Sequence, residues 1–144
     1  IEGAADGAGL GIRFLKHLQR TRLLLHLVDI APVDGVDPAE AVRMIAAEVE
    51  NFGHELGTRP RWLVFTKRDV LAGEESQTRA EALVEQLKWK APWYCISAVS
   101  GEGLKQLCHD VAAWVEAENI RAQAAGSASD GIQLASGIQG KTDG

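Results

Sequence analysis

Trp62-Leu63-Val64-Phe65-Thr66-Lys67-Arg68-Asp69 is the stretch from which the fold can be worked out. Its first half is a short apolar run rich in β-favouring side chains, bounded by Pro60 and by the charged residues that follow. A run of this length and composition predicts a buried strand. The polar cluster then stands at the strand's C-terminal end, where open α/β sheets bind ligands. A carboxylate at that point, Asp69, can accept two hydrogen bonds from adjacent N–H groups. The Lys67 stem can lie across a flat ring, and Thr66 can tie the loop to its neighbours. A solvated strand-to-helix loop has the same composition, so the stretch needs support from elsewhere in the chain.

That support begins at Trp93-Tyr94-Cys95-Ile96-Ser97-Ala98, a second short apolar run, followed by Val99-Ser100-Gly101-Glu102-Gly103-Leu104. Asp69 and Ser97 are separated by one helix-length segment, as adjacent parallel strands require. Thr66-Lys67-Arg68-Asp69 resembles the Asn-Lys-x-Asp motif that reads guanine in GTPases, with Thr66 standing where Asn is commoner. Guanine offers the adjacent donors that such a carboxylate would hold, its ring N1–H and its exocyclic amine. Ser97-Ala98 resembles the Ser-Ala pair that sets a backbone N–H against guanine O6 in the same proteins.

A third stretch is Ile1-Glu2-Gly3-Ala4, then Gly7-Ala8-Gly9-Leu10-Gly11, then Arg13-Phe14-Leu15-Lys16-His17-Leu18-Gln19-Arg20-Thr21. With these residues the chain resembles the Obg family of ribosome-associated GTPases over residues 1–120. The resemblance implies an α/β fold: an incomplete P-loop GTPase-type parallel sheet with flanking helices and three strands retained. Gly3 would lie in the second switch, and Thr66, Lys67, Asp69, Ser97 and Ala98 would hold the guanine base. It further implies GTP and GDP as ligands, Mg²⁺ in the parent protein, hydrolysis of GTP to GDP and phosphate, and the large ribosomal subunit as partner. In that family an Asp-x-Pro-Gly-Leu stretch, the first switch and the phosphate-binding loop come before Ile-Glu-Gly-Ala. None is found in this sequence, so no catalytic residue and no metal ligand is identifiable, and the expectation is that this chain alone hydrolyses no GTP. Two readings from other classes are a nucleotide-independent α/β interaction module and a nonfunctional remnant.

From the start of the chain, the glycines at 3, 7, 9 and 11 suit a rearranging switch or an ordinary surface loop. Residues 12–22 are expected to form a helix with Phe14, Leu15 and Leu18 inward and Arg13, Lys16, His17 and Arg20 on another face, read first as solvated, with contact to ribosomal RNA as the alternative. Leu23–Asp29 is a continuous apolar run, the pattern of a parallel strand covered on both faces, with His26 expected as a hydrogen-bonded core residue. Asp37-Pro38-Ala39-Glu40 opens a helix with a cap and a capping box. Val42, Ile45, Val49, Phe52 and Leu56 give it one buried face, and Gly57 stops it. Residues 75–89 form a further helix with Ala80, Leu83, Val84 and Leu87 inward. A last helix over 102–119 buries Leu104, Leu107, Cys108, Val111 and Val115. Strand and helix alternate throughout, the signature of a doubly wound parallel sheet.

Composition narrows the class. A formal charge of −5 and a pI near 5.3 exclude a general nucleic-acid sleeve, and no specific DNA partner is expected. With 46% hydrophobic residues the chain can build a core. Cys95 and Cys108 read as small core residues, and the four histidines lack zinc-ligand spacing. No run is long enough to span a membrane and no signal peptide is recognisable, which points to the cytoplasm. From Arg121 the sequence turns to Ala, Gly, Ser, Gln and Asp, so residues 121–144 are expected to be a low-complexity, disordered tail. Within it, residues 135–142 nearly match a phosphate-binding loop, an arrangement known from circularly permuted GTPases. Only Asp143 and Gly144 follow to build the helix such a loop needs, and the match is read as accidental. In the family's sheet the Leu23–Asp29 strand pairs with the strand leading into the phosphate loop. The present chain is therefore expected to be marginally stable and to associate through that strand's open edge.

Overall fold

The computed structural model describes residues 9–126. In chain order the elements are α1 (Ile12–Leu18), β1 (Leu24–Asp29), α2 (Pro38–Phe52), α3 (His54–Gly57), β2 (Arg61–Thr66), α4 (Glu75–Leu87), β3 (Trp93–Cys95) and α5 (Leu104–Ala124). A 3₁₀ turn at Arg68–Val70 follows β2. The strands form one all-parallel sheet in the order β1-β2-β3, so the Trp62–Phe65 run occupies its centre.

Strand alternation distributes the side chains between two layers of helix. Val28, Leu63, Phe65 and Cys95 share one face and pack with Ala39 and Val42 of α2 and Ala80 and Leu83 of α4. Leu23, Trp62, Val64 and Ile96 belong to the other, beneath Leu107 and Val111 of α5. Because β2 is covered on both faces, Leu63, Val64 and Phe65 are fully buried, which is why its sequence is apolar without alternation. A third cluster, including Leu15, Leu18, Leu24, Val49 and Leu56, fastens α1 to the sheet.

Several boundaries differ from the sequence expectation. Helix α1 stops at Leu18 instead of residue 22: the Arg20 and Thr21 N–H groups turn to the His17 and Leu18 carbonyls at 3.1 Å, three residues back. The Thr21 hydroxyl also donates to Leu18 O at 2.8 Å, while Arg59 Nη1 binds the Gln19 and Thr21 carbonyls beyond the turn. Arg20 therefore lies beyond the helix. The helix opening at Pro38 is capped by the Asp37 carboxylate, which accepts from the Ala39 N–H at 3.2 Å. It ends at Phe52; after Gly53 the short α3 turn delivers Leu56 into the core. Helix α4 ends at Leu87, two residues earlier than expected, on a left-handed Lys88.

Helix α5 starts at Leu104 and continues to Ala124, so residues 121–124, assigned from sequence to the tail, are helical. The Glu118–Arg121 pair on that last stretch favours the helix it extends. Cys108 is exposed, not buried; Trp114 of α5 packs against the core cluster instead. Cys95 is buried as expected. His26 is buried, but its Nδ1 has no hydrogen-bond partner among the described residues, where the sequence predicts a hydrogen-bonded core histidine. Among the described residues no helix is long and apolar enough to cross a membrane. Gly3, residues 135–142 and most of the expected tail lie outside the described residues.

Candidate functional site

The C-terminal ends of the three strands come together on one side of the sheet, as parallel pairing demands. Asp29 ends β1, Thr66 ends β2, and Ile96-Ser97-Ala98 follow β3. The loop after β2 turns sharply because Lys67 adopts a left-handed conformation (φ 66°, ψ 35°). A non-glycine residue held there is strained by roughly 1–3 kcal/mol, and such strain is typical of sites where the backbone must be aimed. Lys67 leads into the 3₁₀ turn that presents Asp69.

Each polar side chain of this loop is tied to a neighbouring strand end. Thr66 Oγ1 donates to the Val28 carbonyl at 3.4 Å. Lys67 Nζ lies 2.7 Å from Asp29 Oδ2, so its stem spans the gap between the ends of β1 and β2. That hydrogen bond and the Asp29 charge hold the ammonium above the usual lysine range. The other oxygen of Asp29 accepts from the Ala31 N–H at 2.9 Å, which fixes the carboxylate for Lys67.

Asp69 meets Ser97 directly: the Ser97 hydroxyl donates to Asp69 Oδ1 at 2.7 Å. Ser97 is fully buried while Asp69 is exposed, so a rigid hydroxyl steers an accessible carboxylate. The same Ser97 oxygen accepts from the Ser100 N–H at 3.0 Å. The Ser97 N–H donates to the Glu102 carbonyl at 2.9 Å, and the Gly101 N–H to the Ser97 carbonyl at 2.8 Å. Gly103 closes this loop at φ +82°, and a β-carbon there would lie 2.6 Å from the Cys95 carbonyl oxygen. Only glycine fits that approach.

Ala98 stands beside this network, exposed, and its backbone N–H has no acceptor among the described residues. The site thus offers a carboxylate with unused lone pairs, a free amide donor and a lysine stem, contributed by the loops after β2 and β3. This set can receive a flat ring bearing two adjacent donors and one acceptor. Thr66, Lys67, Asp69, Ser97 and Ala98 all lie in these two loops.

Three participants were not singled out from sequence. Asp29 pairs with Lys67, and Arg68 and Glu102 form an ion pair of 3.2 Å across the two loops. The signal for Asp29 was a carboxylate closing an apolar strand; nothing local links Arg68 to a residue so far along the chain. A groove of about 490 Å³ runs along the outer side of β1, lined by Leu10, Phe14, Leu18, His26, Ile45 and Val49 among others. It is mostly apolar and separate from the Asp69–Ala98 loops, although Asp29 borders it. Among the described residues no group of three or more His, Cys, Asp or Glu side chains could hold a metal ion. A search of protein-family models finds none that matches the chain.

Proposed function

We propose that this chain recognises the base of a guanine nucleotide, as the base-binding part of an Obg-type GTPase. The observation that carries this reading is the Ser97–Asp69 hydrogen bond beside the free Ala98 amide. Asp69 would accept from guanine N1–H and the exocyclic amine, and the Ala98 N–H would donate to O6. Ser97 would hold the carboxylate in its orientation, and the Lys67 stem, fixed by Asp29, would flank the ring. Hydrolysis of GTP and action on the large ribosomal subunit belong to this proposal through the family resemblance alone. Mg²⁺ finds no fitting donor set among the described residues, and no phosphate chemistry is assigned to them.

Titration of the chain with GDP, XDP and ADP, followed by amide NMR shifts, tests the reading. GDP should bind in preference to ADP and XDP, with the largest shifts at Asp69 and Ala98. Asp69→Asn replaces one acceptor by a donor, which mismatches guanine and matches the 2-oxo group of xanthine. Loss of a charge-assisted hydrogen bond should weaken GDP on the order of 10- to 100-fold, and the same substitution should strengthen XDP. An unchanged GDP/XDP preference would remove Asp69 from the site. Absence of any base preference would favour an α/β interaction module, a reading supported by the outer edge of β1, with which no strand among the described residues pairs.

A further inference from the structure

Arg68 is the one member of the Thr66–Asp69 segment that base contact leaves without a task, and it is the most heavily bonded. Its backbone N–H donates to the Ile96 carbonyl at 3.0 Å, and its Nη1 to the Cys95 carbonyl at 3.4 Å. Its Nε lies 3.2 Å from Glu102 Oε1. Nη1 also reaches Gln77 of α4 at 3.5 Å. The side chain is 25% exposed, so the guanidinium is partly withdrawn from water while its planar donors are spread over three acceptors.

Glu102 matters for the same geometry. Its carbonyl accepts the Ser97 N–H, and its own N–H donates to Ser100 Oγ at 3.3 Å. The main chain of Glu102 therefore closes the 97–102 loop, and its carboxylate is held by the loop after β2. Apart from the Asp69–Ser97 bond, the contacts of Arg68 are the links between these two loops that the described residues provide.

We infer that Arg68 is a positioning residue: with Glu102 it sets the separation of Asp69 from the Ala98 amide, and so governs selectivity for guanine. The inference rests on the base-binding reading. Asp69 and Ala98 come from different strands, and guanine is preferred only if both contacts are made at once. If the bridge is loosened, each contact can still form singly, so binding weakens and discrimination against bases offering one contact falls. Because the pair is partly exposed, its effect is modest and screened by salt.

The experiment is a double-mutant cycle with Arg68→Met, Glu102→Gln and the double variant. Neutral guanosine serves as probe, so that salt acts on the protein and not on a phosphate. Each single substitution should lower guanosine affinity about 2- to 5-fold and narrow its margin over 2-aminopurine riboside, which keeps the exocyclic amine for Asp69 but has no O6 for the Ala98 amide. The double variant should be no weaker than Arg68→Met alone, and Arg68→Lys should recover part of the loss. Wild-type affinity should fall more steeply with added salt than that of Arg68→Met, in which only the Lys67–Asp29 pair remains to be screened. Additive losses, or guanosine and 2-aminopurine riboside affinities unchanged in all variants, would overturn the inference. Hydrogen exchange keeps the two readings apart. Faster exchange at the Ser97 and Gly101 amides in Glu102→Gln supports the bridge; unchanged exchange overturns it. A wild-type chain that binds no guanosine overturns base recognition and with it the selectivity role, whereas the exchange result still decides whether the bridge holds the loop.

Discussion

His26 sits on β1 facing α1 and α2, with 8% of its surface exposed and Nδ1 unpaired among the described residues. Burial lowers its pKa from the ordinary 6.5 to about 4, and the nearby Arg61 charge adds to the effect. The unfolded chain therefore holds the proton more tightly than the folded one. The stability contribution of neutral His26 is complete above pH 6.5 and is lost as the pH falls from there through 4. Integrated over that window it amounts to about 3 kcal/mol. His26→Leu removes the ionisable group while keeping an apolar side chain. Urea midpoints of the two proteins should diverge progressively as pH drops from 6.5 to 4, with the variant falling less. A constant difference across that range would show that His26 is not protonated on unfolding.

The helix ends show how local geometry and distant contacts share the work. Helix α4 closes with Lys88 in the left-handed region (φ 54°), where Lys88 N–H donates to Glu85 O at 3.1 Å and Trp89 N–H to Val84 O at 3.0 Å. This is the paired bonding that usually takes glycine at its left-handed position. Lys88→Gly should therefore raise stability by about 0.5–1 kcal/mol, measurable by denaturant unfolding. A loss would mean that the lysine stem contributes packing that outweighs its backbone strain. Lys67 has a similar backbone (φ 66°), but there the side chain pairs with Asp29 at the site. Relief of strain at Lys67 would come with loss of that pair, so the two left-handed lysines differ in what they secure.

On the scale of the whole molecule, the sheet is unevenly closed. Strand β1 pairs with β2 on one side and, among the described residues, has no strand on the other. Leu24 and Ile30 direct their N–H groups to β2, so the odd-numbered residues between them point theirs outward. Leu27 is 45% exposed, and no lysine or proline interrupts Leu24–Asp29. An apolar, unprotected edge is a template for pairing with another chain. The chain is expected to self-associate as its concentration rises, and Leu27→Lys should shift it toward monomer in size-exclusion chromatography with light scattering. A monodisperse monomer for the unsubstituted chain would show that this edge is covered in solution.

The amino-acid order alone determined the parallel α/β fold and the convergence of Thr66, Lys67, Asp69, Ser97 and Ala98 on one end of the sheet. Both are consequences of short-range information: the length of an apolar run, a helical period, and the helix-length spacing that makes neighbouring strands parallel. What only the tertiary structure decided depends on groups far apart in the chain. Arg59 holds the turn after α1 by binding the Gln19 and Thr21 carbonyls, and Cys108 turns to solvent while Trp114 packs against the core. Arg68 finds Glu102 across two loops, and His26 is buried with no partner for Nδ1 among the described residues. Periodicity says which face of an element is apolar. Which donor meets which acceptor is settled by packing, because a hydrogen bond requires its partners within about 3 Å, a distance that only the assembled strands and helices can set.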